Sequence, residues 1–226
     1  MLLISSLPSR FRRFDWLLFT AVVILALLGL TTIYSVDLSR GETLDFFSTQ
    51  SVSFGLALLV LFVAASFHIS FYEAQAKFVY MVALALLVLV LFFGETVRGT
   101  TGWFRFAGFS FQPAEFAKLA LIIFLAWRIG RQGRRFERPQ FVAATGALSL
   151  FFIVLILLQP DLGSAAVLCG IWLGLLLLTG TRWRYIAGLI GLLILGFALG
   201  WLFFFKDYQR ERFLTFIDSS RDPLKA

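Results

Sequence analysis

The residues best placed to do chemistry are a glutamate and a lysine at the head of an apolar run that begins at Phe116. Glu115 and Lys118 are three positions apart, a spacing that puts both side chains on one helix face, where their charges can neutralise each other. Pro113 suits the first helical turn, and Ser110 could cap it. Two interpretations fit: a structural ion pair at the membrane interface, or a pair lining a polar cavity for an anionic head group, since a helix N-terminus also offers free N–H groups.

The pair closes a stretch, residues 99–118, that reads GTTGWFRFAGFSFQPAEFAK. Glycines break its aromatic run, and a Gln-Pro step precedes the predicted helix. Segments long enough to cross a bilayer lie on both sides of it. Because irregular backbone is not tolerated against lipid, we expect an irregular loop that water or protein solvates outside the hydrocarbon layer.

A second polar interruption, Gln159-Pro160-Asp161-Leu162-Gly163, separates two long apolar runs. The proline disfavours helix at the residue before it, the glycine allows a tight turn, and Asp161 can cap the helix that follows. A simple turn between helices explains the pattern. An alternative is that Asp161 faces a water-filled groove beside the 99–118 loop, and the spacing does not decide between the two.

The last charged segment reads KDYQRERFLTFIDSSRDPLKA and begins at Lys206. Its apolar residues recur at near-helical spacing, which is typical of a short amphipathic helix on a membrane surface. Asp218 and Asp222 follow that helix, close to basic side chains. The segment is either a solvated surface loop or an acid/base and phosphate-binding patch.

Other chemistries lack the residues that they need. His68 is the only histidine and Cys169 the only cysteine, so the sequence predicts no metal constellation and no internal disulfide. We interpret His68 as an interfacial side chain and Cys169 as a packed one. The sequence also has no Walker or Rossmann glycine pattern, so nucleotide use is not expected.

The elements that must position these residues are membrane helices. With 60% hydrophobic and 15% charged residues, a chain of 226 residues cannot hide its apolar surface in one aqueous core. The first apolar run is about 20 residues long, the length of a spanning helix rather than of a signal peptide. We predict an all-α polytopic membrane protein, one integral membrane domain over residues 1–226, with spans at about 16–36, 51–67, 76–93, 113–129, 141–158, 163–180 and 184–205.

The basic residues predict the orientation of these spans. A net charge of +7 would suggest nucleic acid in a soluble protein, but here many of the arginines fall in the short loops on one side of the predicted spans. That side is expected to be the cytoplasm, and its arginines are Arg10, Arg12, Arg13, Arg128, Arg131, Arg134, Arg135, Arg138, Arg182 and Arg184. The N-terminus is then cytoplasmic, and the 99–118 loop, the Asp161 turn and the tail after residue 205 are extracytoplasmic.

Three motifs resemble those of one known family. The run GTTGWFRFAGFSFQPAEFAKLALIIFLA, the run QPDLGSAA and the segment YQRERFLTFIDSSRDPL occur in the order found in the RodA/FtsW family, the SEDS proteins of bacterial cell elongation and division. The likeness covers nearly the whole chain and is somewhat greater to the RodA branch. It implies an incomplete version of a ten-helix fold in the bacterial cytoplasmic membrane.

The resemblance implies an enzyme. Members of the family are peptidoglycan glycosyltransferases that polymerise lipid II, a disaccharide-pentapeptide on undecaprenyl pyrophosphate, and they work with a class B penicillin-binding protein. The conserved loop tryptophan of the family falls on Trp103, and its Glu and Lys fall on Glu115 and Lys118. Its essential acid falls on Asp222, with Asp218 as the second choice.

Elementary chemistry is consistent with these assignments. Transfer from a pyrophosphate requires a base for the attacking hydroxyl and positive charge for the leaving group. Asp222 would be the base, and the charge would come from Lys118, Arg105, Arg210 or Arg212. Asp161 would line the same groove, Trp103 would offer a flat face to a sugar ring, and a divalent cation, Mg²⁺ or Mn²⁺, could assist with the pyrophosphate.

Two departures from the family leave alternatives open. Gly102 stands where many relatives carry an Arg or Ser before the tryptophan, and relatives continue beyond the Asp-Pro step with about three more helices. We therefore expect a fragment or a truncated product, and the sequence leaves open whether it is active without the missing helices. The alternatives are a carrier that flips lipid II across the membrane, for which Glu115 and Lys118 would also serve, and a non-catalytic scaffold for the penicillin-binding partner.

Overall fold

The structure is a computed structural model that describes residues 14–41, 44–97, 99–106, 109–132, 138–203, 205, 210–211, 214–215 and 218. Over these residues, the chain has long helices in the order predicted from the apolar runs. They are α1 (Trp16–Arg40), α2 (Asp45–Ser66), α3 (Ile69–Phe93), α4 (Pro113–Gln132), α5 (Pro139–Leu157), α6 (Leu162–Leu178) and α7 (Trp183–Phe203). Each predicted span corresponds to one of these helices, so the predicted all-helical membrane fold is confirmed.

Two helices begin well before the predicted spans. The helix α2 starts at Asp45 rather than at residue 51, and α3 starts at Ile69 rather than at 76. In both cases the extra turns carry polar residues, so they are not part of an apolar run. Polar residues can still form helix outside the hydrocarbon layer.

Five of the described helices are long and apolar enough to cross a membrane, namely α1, α2, α3, α5 and α7. The helix α6 is apolar but shorter, and α4 carries charged side chains near both of its ends. Large apolar side chains are exposed along these helices, as expected where lipid replaces water as the solvent.

The stretch predicted as an irregular loop contains a small antiparallel sheet. The strands β1 (Glu95–Val97), β2 (Thr100–Phe106) and β3 (Phe109–Phe111) pair in the order β1-β2-β3, with an irregularity of register after Glu95. Aromatic and β-branched residues favour strand. The prediction that Ser110 caps α4 is wrong, because Ser110 is paired in β3 and Gln112 directly precedes the helix.

The described residues fall into two compact units that divide after Ala74, and the predicted single domain over residues 1–226 stays a prediction. In the unit that ends at Ala74, α1 and α2 pack together through ring contacts of Phe19 with Phe62 and of Tyr34 with Phe47.

A buried carboxylate also joins these two helices. Asp37, only 1% exposed, accepts a 2.9 Å hydrogen bond at Oδ2 from the backbone N–H of Phe47, in the first turn of α2. Leu44, which occupies the N-cap position, makes no side-chain capping bond. Asp37 therefore supplies from α1 the acceptor that a capping residue would otherwise supply locally.

Replacing Asp37 with alanine is expected to destabilise the α1–α2 pair by about 1–2 kcal/mol, the usual cost of a lost helix cap. Asp37→Asn keeps an oxygen that can accept the bond. It also removes the charge of a carboxylate whose second oxygen, Oδ1, is buried with no partner among the described residues. Thermal unfolding in detergent should rank Asn at or above the wild type and Ala below it. An alanine variant as stable as the wild type would contradict the capping role.

The unit that begins at Gln75 has an aromatic core at the crossing of α3, α4 and α5. The ring of Tyr80 stacks on Phe152 at 4.6 Å between centroids and lies 4.3 Å from the ring of Phe124. Its buried hydroxyl donates to the carbonyl of Leu148, at 2.7 Å. This core holds α3, α4 and α5 together. The sheet connects α3 to α4, and the Gln159-Pro160-Asp161 turn follows α5.

Candidate functional site

The strand β2 packs against the start of α4, and Gly102 makes the close approach possible. Gly102 is buried, and a Cβ at this position would lie 3.0 Å from Oε1 of Gln159 and 4.0 Å from Nε2 of Gln112. A larger residue here would have to displace the turn between α5 and α6. The glycine that departs from the family pattern is thus the residue that lets strand and turn touch.

Asp161 joins the turn to the start of α4. Its Oδ1 accepts from the backbone N–H of Ser164 at 2.9 Å, and its Oδ2 accepts from the Ser164 hydroxyl at 2.7 Å. The same Oδ2 accepts from Nε2 of Gln112, at 3.2 Å. The predicted cap of α6 is confirmed. The turn also touches the 99–118 stretch through Gln112, while the water-filled groove of the alternative interpretation stays a prediction.

Gln159 lies underneath this junction. Its side chain is fully buried, and neither Nε2 nor Oε1 has a hydrogen-bond partner in the described part of the chain. A buried amide without partners is costly, at about 1–3 kcal/mol. Gln159 lies against Gly102. The junction therefore contains buried polar atoms that form no hydrogen bond with the described residues.

The predicted ion pair at the start of α4 is present. Nζ of Lys118 donates to Oε1 of Glu115 at 2.5 Å, with 20% of the lysine side chain and 61% of the glutamate side chain exposed. Glu115 lies in the first helical turn, where a carboxylate also interacts favourably with the helix dipole. Solvent screening limits the contribution of so exposed a pair to stability to a few tenths of a kcal/mol, about 0.3–0.5.

The sheet carries the other two loop residues of the prediction. Trp103 is half-buried in β2 and pairs across the ladder with Glu95 of β1. Nε of Arg105 lies 3.8 Å from Oε2 of Glu95, and both side chains are about half exposed. The guanidinium therefore has a weak carboxylate partner that the sequence prediction did not include.

The predicted tail residues are only partly within the described chain. Arg210 is half-buried, and the exposed Asp218 donates its backbone N–H to the carbonyl of Leu214, at 2.8 Å. Asp222 and Arg212 lie outside the described residues. The assignment of Asp222 or Asp218 as a catalytic acid, and of the two arginines to a leaving group, stays a prediction.

The divalent cation that pyrophosphate chemistry suggests would need oxygen ligands from the protein. Over those residues, no three His, Cys, Asp or Glu side chains come together closely enough to bind a metal ion. His68 is exposed and contacts Ser70 through Nδ1, and Cys169 is half-buried in α6. A cation held by one or two carboxylates and the pyrophosphate itself needs no such group, so the divalent cation stays a prediction.

The structural importance of the two glutamines of the junction is not evident from the sequence. In the sequence, Gln112 is simply the residue beside Pro113, and Gln159 is part of a predicted turn. In the structure, the first donates a hydrogen bond to Asp161, and the second fills the space under Gly102. A signal existed in the sequence, because each glutamine directly precedes a proline at the end of an apolar or aromatic run. The spacing did not show that the two would meet.

The fold and the site define a class: a multi-pass membrane protein in which two helix N-termini and a small sheet form a polar junction at one end of the helices. A family model for cell cycle proteins of the FtsW, RodA and SpoVE type matches residues 15–226. The chain belongs to this family.

Curated relatives support the same placement. The chain is 33% identical over 223 residues to the probable peptidoglycan glycosyltransferase FtsW of Haemophilus influenzae, with 93% of this chain and 54% of the relative covered. It is 31% identical over 208 residues to the peptidoglycan glycosyltransferase MrdB of Escherichia coli, covering 91% of this chain and 55% of the relative. The chain spans about half the length of the curated relatives that it matches.

Solved structures are similar in fold as well as in sequence. One chain, from a study of structural coordination of polymerization and crosslinking by a peptidoglycan synthase complex, superposes with a TM-score of 0.74 at 35% identity, covering 93% of this chain and 61% of its own. An alanine variant of the rod shape determining protein RodA of Thermus thermophilus superposes with a TM-score of 0.70 at 33% identity, covering 84% and 59%.

Proposed function

We propose that this chain acts as a peptidoglycan glycosyltransferase that polymerises lipid II into glycan strands during cell-wall elongation, cell-shape maintenance and division. The observation that carries the proposal is the combination of family membership with the polar junction. Relatives named as peptidoglycan glycosyltransferases align with more than nine-tenths of the chain. At the start of α4, Lys118 pairs with Glu115, and Gln112 just before the helix donates a hydrogen bond to Asp161.

In the proposed reaction, a sugar hydroxyl of one lipid-linked saccharide attacks the anomeric carbon of a second one, which carries the pyrophosphate. The new C–O bond forms as the bond to the pyrophosphate breaks, the hydroxyl proton moves to a base, and the lipid pyrophosphate leaves. Asp222 is the proposed base and Asp218 the second choice. A positioned general base contributes a factor of about 10²–10⁴ to such a step.

The described residues suggest how the leaving group is received. Lys118 and Arg105 each have a carboxylate neighbour, so their positive charge is available to a pyrophosphate only in competition with Glu115 and Glu95. Such pairs can release their cation to a more highly charged anion, because a phosphate group forms stronger charge-assisted hydrogen bonds. Arg210 and Arg212 are the further cations proposed for this role, and Trp103 is the platform for a sugar ring.

The proposal includes a location and a partner. Arginine-rich connections on the side of the helices away from the sheet favour that side as cytoplasmic, which puts the sheet and the Asp161 turn outside the cytoplasmic membrane, where glycan strands are needed. A class B penicillin-binding protein is the proposed partner, in keeping with the solved relative that comes from a peptidoglycan synthase complex.

The test is polymerisation by the purified chain. The 226-residue protein in detergent, with a class B penicillin-binding protein added, would be incubated with lipid II and the glycan products separated on a gel. We expect polymer from the wild type and about 100-fold less from Asp222→Ala, the lower bound for a lost general base. Asp218→Ala is the matched variant and should retain most of the activity.

The other results have definite meanings. Polymer unchanged in Asp222→Ala but lost in Asp218→Ala would move the base to Asp218. No polymer from the wild type would overturn the proposal for this chain: movement of labelled lipid II across vesicle membranes would then identify a carrier, and binding to the penicillin-binding protein alone would identify a scaffold.

A further inference from the structure

At the opposite end of α3 and α4 from the sheet, two cations lie on one indole ring. Nζ of Lys77 is 5.2 Å from the centroid of Trp127, and Cζ of Arg131 is 5.0 Å from it. Each contact is a favourable cation–π interaction. Together they hold two positive charges close to the same side chain.

This cluster has no acidic counter-ion in the described chain. Arg105 and Lys118 each pair with a glutamate, but those pairs belong to the sheet and to the start of α4. Glu73 precedes Lys77 by four residues, a spacing that permits pairing, yet the lysine contacts the indole instead. The excess positive charge at this place is therefore not neutralised by the described residues.

A third cation adds an unsatisfied donor. Arg128 follows Trp127 directly, and its Nε is buried without a hydrogen-bond partner among the described residues. Like charges in proximity repel one another, and a buried charged donor costs more than a neutral one. Both features are relieved by an anion with several acceptor oxygens, the chemistry that a phosphate group supplies.

A lipid is favoured over a free phosphate because an apolar groove lies along the same helix. Leu84 and Val88 follow Lys77 by seven and eleven residues, a spacing that puts all three on one face of α3. Both line an open groove of about 470 Å³ between α3 and α5, in which Phe151 and Val154 form part of the opposite wall. The groove starts about 10 Å along the helix from Lys77 at 1.5 Å per residue.

We propose that this cluster and groove bind one anionic glycerophospholipid, with its phosphate at Lys77, Trp127, Arg128 and Arg131 and one acyl chain between α3 and α5. Basic pockets between membrane helices are the usual sites for anionic lipid head groups. The site is separate from the polar junction and does not depend on polymerase activity.

Native mass spectrometry of the detergent-purified, delipidated chain tests the proposal. Phosphatidylglycerol, zwitterionic phosphatidylcholine and inorganic phosphate would be titrated in parallel. We expect phosphatidylglycerol to bind at least about 5-fold more tightly than phosphatidylcholine, since each nearby Lys or Arg contributes roughly that factor at a membrane surface. Lys77→Gln with Arg131→Gln should remove the preference, whereas Lys77→Arg with Arg131→Lys should keep it.

Two further variants separate the head-group site from the groove. Arg184→Gln is the matched control, because Arg184 also lies on an aromatic ring, 4.9 Å from the centroid of Tyr185, but outside the cluster. It should leave phosphatidylglycerol binding unchanged. Val88→Phe narrows the groove. It should weaken the binding of phosphatidylglycerol without weakening the binding of inorganic phosphate.

Circular dichroism would confirm that each variant keeps its helix content. Equal binding of the two lipids by the wild type would overturn the proposal. Inorganic phosphate that competes fully with phosphatidylglycerol, together with no effect of Val88→Phe, would also overturn it, because the site would then recognise phosphate alone.

Discussion

Replacing Asp161 with alanine is expected to lower the free energy of unfolding by about 2.5–4 kcal/mol, with about 1 from the lost helix cap and about 1.5–3 from the lost hydrogen bond to a charged acceptor. Three donated hydrogen bonds converge on this carboxylate, two from Ser164 and one from Gln112. Its removal both uncaps α6 and disconnects α6 from the start of α4. Denaturant unfolding of the purified chain in mixed micelles measures the loss.

A serine at position 161 separates the two roles. Serine is a good capping residue, so Asp161→Ser should keep the bond to the backbone of Ser164, but its shorter side chain cannot also reach Nε2 of Gln112. We expect a loss close to that of Gln112→Leu, which removes the bridge and leaves the cap. An alanine variant as stable as the wild type would show that the junction does not depend on Asp161.

The same three variants probe the proposed reaction. If Asp161 positions the start of α4, then Glu115 and Lys118 move when the bridge is lost, and lipid II polymerisation should fall in both Asp161→Ser and Gln112→Leu. A drop of about 10-fold corresponds to 1.4 kcal/mol in the barrier. If polymerisation falls only in Asp161→Ala, the loss of activity would instead be due to general destabilisation of the protein.

The sequence was sufficient for those parts of the structure that depend on local rules. A bilayer requires about 20 apolar residues per helix and permits few alternatives to helix, so the apolar runs predicted all the long helices of the described chain. The cap at Asp161 and the pair of Glu115 with Lys118 span only three residues each, and both were predicted from spacing.

The features that were missed depend on residues far apart in the chain. Gln112 meets Asp161 across 49 positions, and Asp37 caps a helix to which it does not belong. The strands β1 and β3 have three residues each, too few for an alternating pattern to be recognised. No local rule predicts which of several polar residues at the end of a helix bundle will come into contact.

Replacing Gly102 with valine is expected to have the second large effect. A Cβ at this position would be 3.0 Å from Oε1 of Gln159 and 3.4 Å from Cγ2 of Thr100, and the branched side chain adds two methyl groups to the same space. Overpacking of this kind costs about 1–3 kcal/mol. Because Trp103 is the next residue, we also expect the proposed polymerising activity to fall, measured with lipid II on gels.

A double-mutant cycle shows whether the contact with Gln159 is the cause. Gln159→Ala opens the space that the valine needs, so Gly102→Val should cost less in that background, with a coupling of about 0.5–3 kcal/mol. Gly174→Val is the matched control for Gly102→Val, because a Cβ at Gly174 meets no described atom within 4 Å beyond the backbone of its own helix. If the two costs are additive, Gly102→Val destabilises the protein equally with and without the Gln159 side chain. That result would contradict the proposed steric contact between position 102 and Gln159.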